Sequence, residues 1–97
     1  MENDILLNKE NNMPSQADEI RKYCIENYVK PFRLKGDKGF FISVGEVHRN
    51  LNLSNSLSAV CAALGSNIFE DEANVKRINI DGPINGSSTL FVFIFKQ

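Results

Sequence analysis

Small polar side chains follow one another near the middle of the chain, at Asn55, Ser56 and Ser58. Amide and hydroxyl groups of this kind hydrogen-bond the edges of nucleic-acid bases, with Asn matched to adenine. Ser54, just before them, is typical of a helix N-cap, and the free amides at such a helix start bind phosphate. The same small residues also occur on solvated helix surfaces and at protein interfaces, so both interpretations stay open.

Basic residues decide how tightly such a surface holds DNA, because phosphate neutralisation supplies most non-specific affinity. Arg49, Lys76 and Arg77 lie closest in sequence to the polar group, and we expect them to hold phosphate. The net charge of −1 argues against an indiscriminate polyanion binder, although residues 21–49 hold seven of the eleven Lys and Arg side chains. That distribution fits either a local basic surface or a chance scatter of charges. We therefore predict weak binding by a single copy, which dimerisation or tethering to another protein would strengthen.

Catalytic and metal-binding patterns are not found in the sequence. His48 is the single histidine, and no Ser-His-Asp set can be assembled around it. Cys24 and Cys61 lack the spacing of a zinc site and are expected to be buried thiols. We predict no enzymatic activity, no metal and no cofactor. No apolar run approaches the roughly 20 residues of a membrane span, and the N-terminal residues lack a secretory pattern, so we predict a cytoplasmic location without membrane contact.

Two short helices joined by a tight turn must position the polar group. Ser43 and Glu46 have the spacing of a capping box, which starts the first helix. Asn52 tolerates the left-handed conformation that ends a helix. An amphipathic second helix is predicted over residues 54–64, closed by Gly65.

A longer helix precedes this pair, and a capped turn follows it. Ser15 is predicted to cap the first helix, and Pro31 to end it. Residues 66–72 are typical of a capped turn of helix. Residues 1–13, rich in Asn and Glu, are predicted to be a flexible tail, and residues 14–97 to form the folded domain.

Three segments have the character of β-strands. Residues 40–44 form a short β-prone run, and residues 75–80 and 89–95 are predicted to pair as a hairpin. Asn85-Gly86 is a typical hairpin-turn pair, and the loop around it is expected to protrude.

The order helix, strand, helix-turn-helix, strand, exposed loop and strand resembles a winged helix-turn-helix domain over residues 15–97. The S-V-G-E cap, the N-L-S turn and the N-G hairpin carry the resemblance. It implies an α+β fold with three helices and a small antiparallel three-stranded sheet, and double-stranded DNA as the ligand. A recognition helix would start at Ser54, and the wing would be Asp81 to Ser88. Its tip would comprise Asn85, Gly86 and Ser87.

This resemblance leads to the hypothesis of a sequence-reading DNA-binding module, either a small transcriptional regulator or an accessory DNA-recognition domain. The chain departs from the family because no Arg or Lys lies between Ser54 and Asn67. An alternative hypothesis is that the same scaffold serves as a protein-interaction or assembly module.

The last predicted strand is apolar on both faces. Phe91, Phe93 and Phe95 alternate with Leu90, Val92 and Ile94. Because helices cover one face of such a sheet, one row needs cover from the apolar residues 5–7, from residues near 40–44 or from a second subunit. We predict an interface with a homodimer mate or protein partner formed by Phe91, Phe93 and Phe95, with cover by residues 5–7 as the alternative.

Overall fold

Four helices and three strands make up residues 15–96, which the structure, a computed structural model, describes. The helices are α1 (Gln16–Cys24, a π-helical turn Ile25–Val29 and a last segment Lys30–Leu34), α2 (Val44–Asn50), α3 (Leu57–Leu64) and α4 (Asn67–Ala73). The strands are β1 (Gly39–Ser43), β2 (Val75–Asp81) and β3 (Leu90–Phe95), paired antiparallel in the order β1-β3-β2. The predicted α+β class and three-stranded antiparallel sheet are confirmed.

The predicted number of three helices is wrong, because residues 67–73 form a helix of their own. Ser66 caps α4 by accepting the N–H of Phe69 at 3.2 Å, and Asn74 ends it in the left-handed conformation, with φ 56°. These local signals make α4 two turns long rather than one. The predicted flexible tail, residues 1–13, lies outside the described residues.

Helix α1 continues past Pro31, where the sequence predicts its end. Pro31 has no N–H to donate to the Asn27 carbonyl, and its ring clashes with that carbonyl in a regular α-helix. The widened turn before it avoids this clash, since the Lys30 N–H donates to the carbonyl of Ile25, five residues back. The helix therefore runs to Leu34.

The predicted caps at Ser15 and Ser43 form. The Ser15 hydroxyl accepts the N–H of Asp18 at 3.1 Å, and the Asp18 carboxylate bonds back to the Ser15 N–H. At Ser43 only half of the predicted capping box is present: the hydroxyl accepts the N–H of Glu46 at 3.2 Å. The Glu46 carboxylate instead accepts a hydrogen bond from the Tyr28 hydroxyl, which ties α2 to α1.

The hydrophobic core lies between the helices and one face of the sheet. Phe91 and Phe93 of β3 are only 2% and 0% exposed, because the helices cover their row of the strand. Phe95 is half-buried under the guanidinium of Arg33, 4.7 Å from its ring centroid. Phe91 and Phe93, which are predicted from the sequence to form an interface, therefore pack inside this chain. Buried side chains facing this row include Ile20, Val47, Leu64 and Phe69.

The opposite row of β3 is the one that stays open. Val92 and Ile94 lie on the outer face of the sheet, where Phe41 of β1 pairs opposite Val92. Phe41 is 60% exposed and Ile94 is 38% exposed. This outer sheet face, formed by Phe41, Leu90, Val92 and Ile94, is the apolar surface that needs cover. None of the helices between residues 15 and 96 is long and apolar enough to cross a membrane.

Candidate nucleic-acid interface

The turn between α2 and α3 is longer than the sequence predicts. Asn52 ends α2 in the predicted left-handed conformation, with φ 55°. Asn55 is also left-handed, with φ 49°, and this interrupts helical geometry after Ser54. The helix predicted over residues 54–64 therefore begins at Leu57, and Ser54 lies in the turn and not at the N-cap.

Ser56 has a structural role in this turn. Its backbone N–H donates to Nε2 of His48 at 3.2 Å, and its hydroxyl donates to the Ser54 carbonyl at 2.7 Å. The same hydroxyl accepts from Nε2 of Gln16, on α1, at 3.4 Å. Because these bonds use the polar groups of Ser56 within the fold, Ser56 has the least capacity to bond a base.

Asn55 and Ser58 keep their side chains exposed at the start of α3. Asn55 lies two residues before the helix, and Ser58 lies in its first turn, with Ala62 one turn further along. Arg49, near the end of α2, is exposed as well. The structure thus places an amide, a hydroxyl and one guanidinium at the α2–α3 corner.

Arg77 is engaged inside the protein. Its Nη1 donates to the carbonyl of Gly65, at the end of α3, at 2.9 Å. The same nitrogen pairs with Oε2 of Glu70 on α4 at 3.3 Å, and the Arg77 backbone N–H bonds Oε1 of Glu70 at 3.4 Å. Arg77 therefore joins β2 to two helices, and its charge is already neutralised by a carboxylate.

Lys76 does not lie near α3. Its pairing opposite Ile94 places it on the outer sheet face, across the sheet from the helices. Of the three predicted phosphate contacts, Arg49, Lys76 and Arg77, only Arg49 lies exposed at the corner. Arg21 and Arg33 are likewise engaged: Arg21 pairs with Asp18, and Arg33 donates to the Ala73 carbonyl at 2.7 Å.

The loop of the β2–β3 hairpin, residues 82–89, folds back at its base. The N–H groups of Val44 and Gly45, at the start of α2, donate to the carbonyls of Thr89 and Ser87 at 3.0 and 3.1 Å. A Cβ on Gly45 would lie 2.4 Å from the Ser87 oxygen, so this approach requires glycine. The predicted protruding wing is thus anchored on α2.

Three tip residues of the predicted wing differ in what they expose. The Gly86 N–H donates to Oγ1 of Thr89 at 3.0 Å, and Thr89 is buried. Asn85 is exposed in a left-handed conformation, with φ 56°, and the Ser87 side chain is exposed. Asn85 and Ser87 therefore remain accessible to a ligand, whereas Gly86 holds the loop.

An open groove of about 500 Å³ separates α3 from the hairpin. This groove is not among the features predicted from the sequence. A bulge at Ile78 shifts the register of β2, so Ile80 lies opposite Phe91 on the helix side of the sheet. Residues that line this α3–hairpin groove include Ser58, Cys61, Ala62, Ile80, Ile84 and Phe91. The sequence signal for the hairpin side of this groove is the pair of β-branched residues near the hairpin turn, Ile80 and Ile84.

Apolar side chains at the groove are open to water. Ile84 is 87% exposed and Ile80 is 48% exposed. Desolvation raises the pKa of the Cys61 thiol, an effect that a hydrogen bond from the Asn85 backbone partly opposes. Asn85 of the hairpin loop and Cys61 of α3 line the same groove, so the loop lies beside the middle of α3. Among residues 15–96 no three His, Cys, Asp or Glu side chains are grouped in a way that could hold a metal ion.

Comparison with known proteins assigns no family. No family model, curated protein or solved structure matches this chain. The winged-helix resemblance therefore depends on the order of the elements, the α2–α3 corner and the hairpin beside α3.

Proposed function

We propose that this domain is a DNA-binding module of the winged-helix type, which contacts DNA with the α2–α3 corner and the hairpin loop. The observation that carries the proposal is the exposure of Asn55 and Ser58 at the start of α3, beside exposed Arg49. Asn is suited to adenine, Ser to bases or phosphate, and Arg to phosphate. Asn85 and Ser87 extend the same surface from the hairpin loop.

The charges of the corner make a single copy a weak binder. Of the three predicted phosphate contacts, Arg49 is the one that the fold leaves exposed near the start of α3, since Arg77 is paired with Glu70 and Lys76 lies across the sheet. One to two phosphate contacts give a slope of about −1 to −2 in log K against log salt. To occupy a DNA site for a large fraction of the time, the domain then requires a second copy or a tether to another DNA-bound protein. Either one raises the effective concentration of the domain at the DNA.

Fluorescence anisotropy with random duplex DNA tests the proposal. Between about 50 and 200 mM salt, affinity should fall about 3- to 12-fold, as expected for one to two contacts. Arg49→Gln should lower the slope by about 0.9, because one phosphate contact is lost. Lys38→Gln, which removes the same charge from an exposed residue just before β1, is the matched control and should leave the slope unchanged.

Two outcomes would count against DNA binding. The first is no binding at about 50 mM salt. The second is an equal loss of affinity in Arg49→Gln and Lys38→Gln, which would mean that only net charge matters.

The outer sheet face favours a second candidate function, that of an assembly module. It presents Phe41 and Ile94 to water on a sheet that helices cover on one side only. Large apolar surfaces of this kind are typical of protein contacts. The solution mass should then be that of a dimer, and Phe41→Asp should return it to a monomer. A monomer for the unaltered chain at all concentrations would exclude self-assembly through this face.

A further inference from the structure

The α3–hairpin groove combines an apolar lining with openness to water. Cys61 and Ala62 form its wall on α3, and Ile80 and Ile84 form the opposite wall. The exposures of Ile80 and Ile84, 48% and 87%, show that the hairpin side is uncovered among the described residues. Apolar surface of this kind gains free energy when another apolar group displaces its water.

The described chain begins near the start of α3. Gln16, the first residue of α1, bonds to Ser56 at 3.4 Å, and Ser58 on the groove wall follows two residues later. Seven residues separate Leu7 from Ser15, so that stretch of chain spans at most about 26 Å when extended. Helix α3, with eight residues, is about 12 Å long. A stretch of this length that starts near the first turn of α3 is therefore long enough to bring residues 5–7 to the α3 wall of the groove.

We infer that Ile5, Leu6 and Leu7 of the same chain bind in the α3–hairpin groove. They are the one run of three consecutive apolar side chains before Ser15. The outer sheet face is the competing location, but α1 packs on the helix side of the sheet. A segment that leads into Ser15 meets the groove on that side, and has to pass around the sheet to reach Phe41.

Binding of this segment blocks the surface that is proposed to face DNA. Ser58 and Ala62 belong both to the groove wall and to the exposed side of α3. The segment also brings acidic residues to α3, since Glu2 and Asp4 precede it and Glu10 follows it. Because steric and electrostatic effects act in the same direction, the segment competes with DNA. This consequence, unlike the binding itself, rests on the proposed function.

A tryptophan introduced at Leu6 tests the binding without DNA. The sequence contains no Trp, so Leu6→Trp reports on that position alone. Its emission should lie at shorter wavelength than that of Asn11→Trp, the control in the same segment, and should resist quenching by iodide. Ala62→Asp and Ile84→Asp, both at exposed groove residues, should each abolish the shift. Phe41→Asp on the outer sheet face should leave it unchanged.

The competing occupants give different results. No shift in Leu6→Trp, or a shift abolished by Phe41→Asp and not by Ala62→Asp, overturns the inference. A shift that grows with protein concentration assigns the groove to the segment of a second copy, and overturns binding within one chain.

The effect on DNA is measured separately with full-length variants. Ile5→Asn, Leu6→Asn and Leu7→Asn, combined in one chain, remove the apolar run at constant charge. If the segment covers the groove about nine-tenths of the time, this variant should bind DNA about tenfold more tightly. The control combines Asn8→Ser, Asn11→Ser and Asn12→Ser and should bind as the unaltered chain does.

The two measurements separate the inference from the function on which its consequence rests. A normal emission shift with no DNA binding by either variant leaves the segment in the groove and removes the proposed function. A normal shift with equal, measurable DNA binding by both variants shows that the segment does not compete with DNA.

Discussion

Nε2 of His48 accepts the backbone N–H of Ser56 at 3.2 Å, a bond that joins α2 to the residue just before α3. The lone pair of this ring nitrogen is the acceptor in the contact. The bond holds the intervening turn, and with it the exposed Asn55, in one conformation. The geometry of the α2–α3 corner thus depends on a side chain that bonds within the fold.

Replacing His48 should loosen this corner. His48→Ala removes the acceptor for the Ser56 N–H, and we expect a loss of about 1 kcal/mol in the free energy of unfolding, the usual contribution of one hydrogen bond. Urea unfolding measures the loss, and hydrogen exchange at the Ser56 amide should be faster than in the unaltered chain. Lys22→Ala, at an exposed residue of α1, is the control. Unchanged protection of the Ser56 amide would show that the bond contributes nothing.

Arg77 is expected to contribute to stability and not to DNA affinity. Arg77→Met leaves the Gly65 carbonyl and the half-buried Glu70 carboxylate without their partner. Bonds to charged groups of this kind contribute about 1.5–3 kcal/mol, so urea unfolding should show a loss of that size. Arg77→Lys should recover only part of it, because an ammonium cannot reproduce the fork of the guanidinium.

Lys76→Met, at the neighbouring residue, is the control for the bonds that Arg77 makes to Gly65 and Glu70. Lys76 is exposed on the outer sheet face, and its replacement should change stability by no more than about 0.5 kcal/mol. If Arg77→Met instead unfolded at the same urea concentration as Lys76→Met and bound DNA less tightly, that result would refute the structural role of Arg77.

Local signals made most of the fold predictable. Ser15 and Ser43 cap their helices because a serine hydroxyl satisfies a free amide of the first turn whatever lies further along the chain. Asn52 stops α2 for an equally local reason. The alternation of residues in β3 also showed which side chains share a face. Pro31 was misleading because the compensating π-helical turn has no simple sequence pattern.

The candidate site was less predictable because it depends on contacts between distant segments. Both faces of β3 are apolar, so the alternation of its side chains does not predict which face the helices cover. The structure shows that they cover Phe93 and leave Ile94 exposed. The arginines present the same difficulty. Arg77 donates to the carbonyl of Gly65, twelve residues earlier in the sequence. Only the packed structure shows that its guanidinium bonds within the protein.

Stability should decline in alkali through the Cys24 thiol. Burial raises the pKa of Cys24 to about 12, whereas a thiol in an unfolded chain ionises near about 8.5. Between these values the unfolded chain binds fewer protons than the folded one, so the free energy of unfolding falls as pH rises. Cys24→Val should show a flatter decline in urea midpoint between about pH 8 and 10. The pKa of Tyr28 is also raised, by burial and by the Glu46 carboxylate. Because an unfolded tyrosine ionises only near about pH 10, Tyr28→Phe should flatten the decline above that pH and not between about pH 8 and 10.

Cys61→Ala is the matched control for that pH profile. The pKa of Cys61 is raised by burial too, but its thiol is only half-buried and a backbone hydrogen bond opposes the effect. We expect a smaller change in the alkaline slope than for Cys24→Val. Parallel profiles for the unaltered chain and Cys24→Val would show that the buried thiol does not control alkaline stability.

The strongest test of the α2–α3 corner is to remove the Asn55 side chain without disturbing its backbone. Asn55 has a positive φ of 49°, so Asn55→Ala would strain the turn and confuse a structural effect with a binding effect. Asn55→Gly avoids the strain and should keep the fold. If the amide bonds a base, discrimination between the selected site and random duplex should fall by about 1–3 kcal/mol, while the salt slope stays constant.

Asn52→Gly supplies the matched comparison, because Asn52 has nearly the same conformation, with φ 55°, at the end of α2. It should leave discrimination unchanged, since Asn52 precedes α3 by a full turn of irregular chain. Equal losses in both variants would assign the effect to a more mobile turn. Full discrimination in Asn55→Gly would instead remove Asn55 from the proposed interface and leave Ser58 and the hairpin loop as the remaining base contacts.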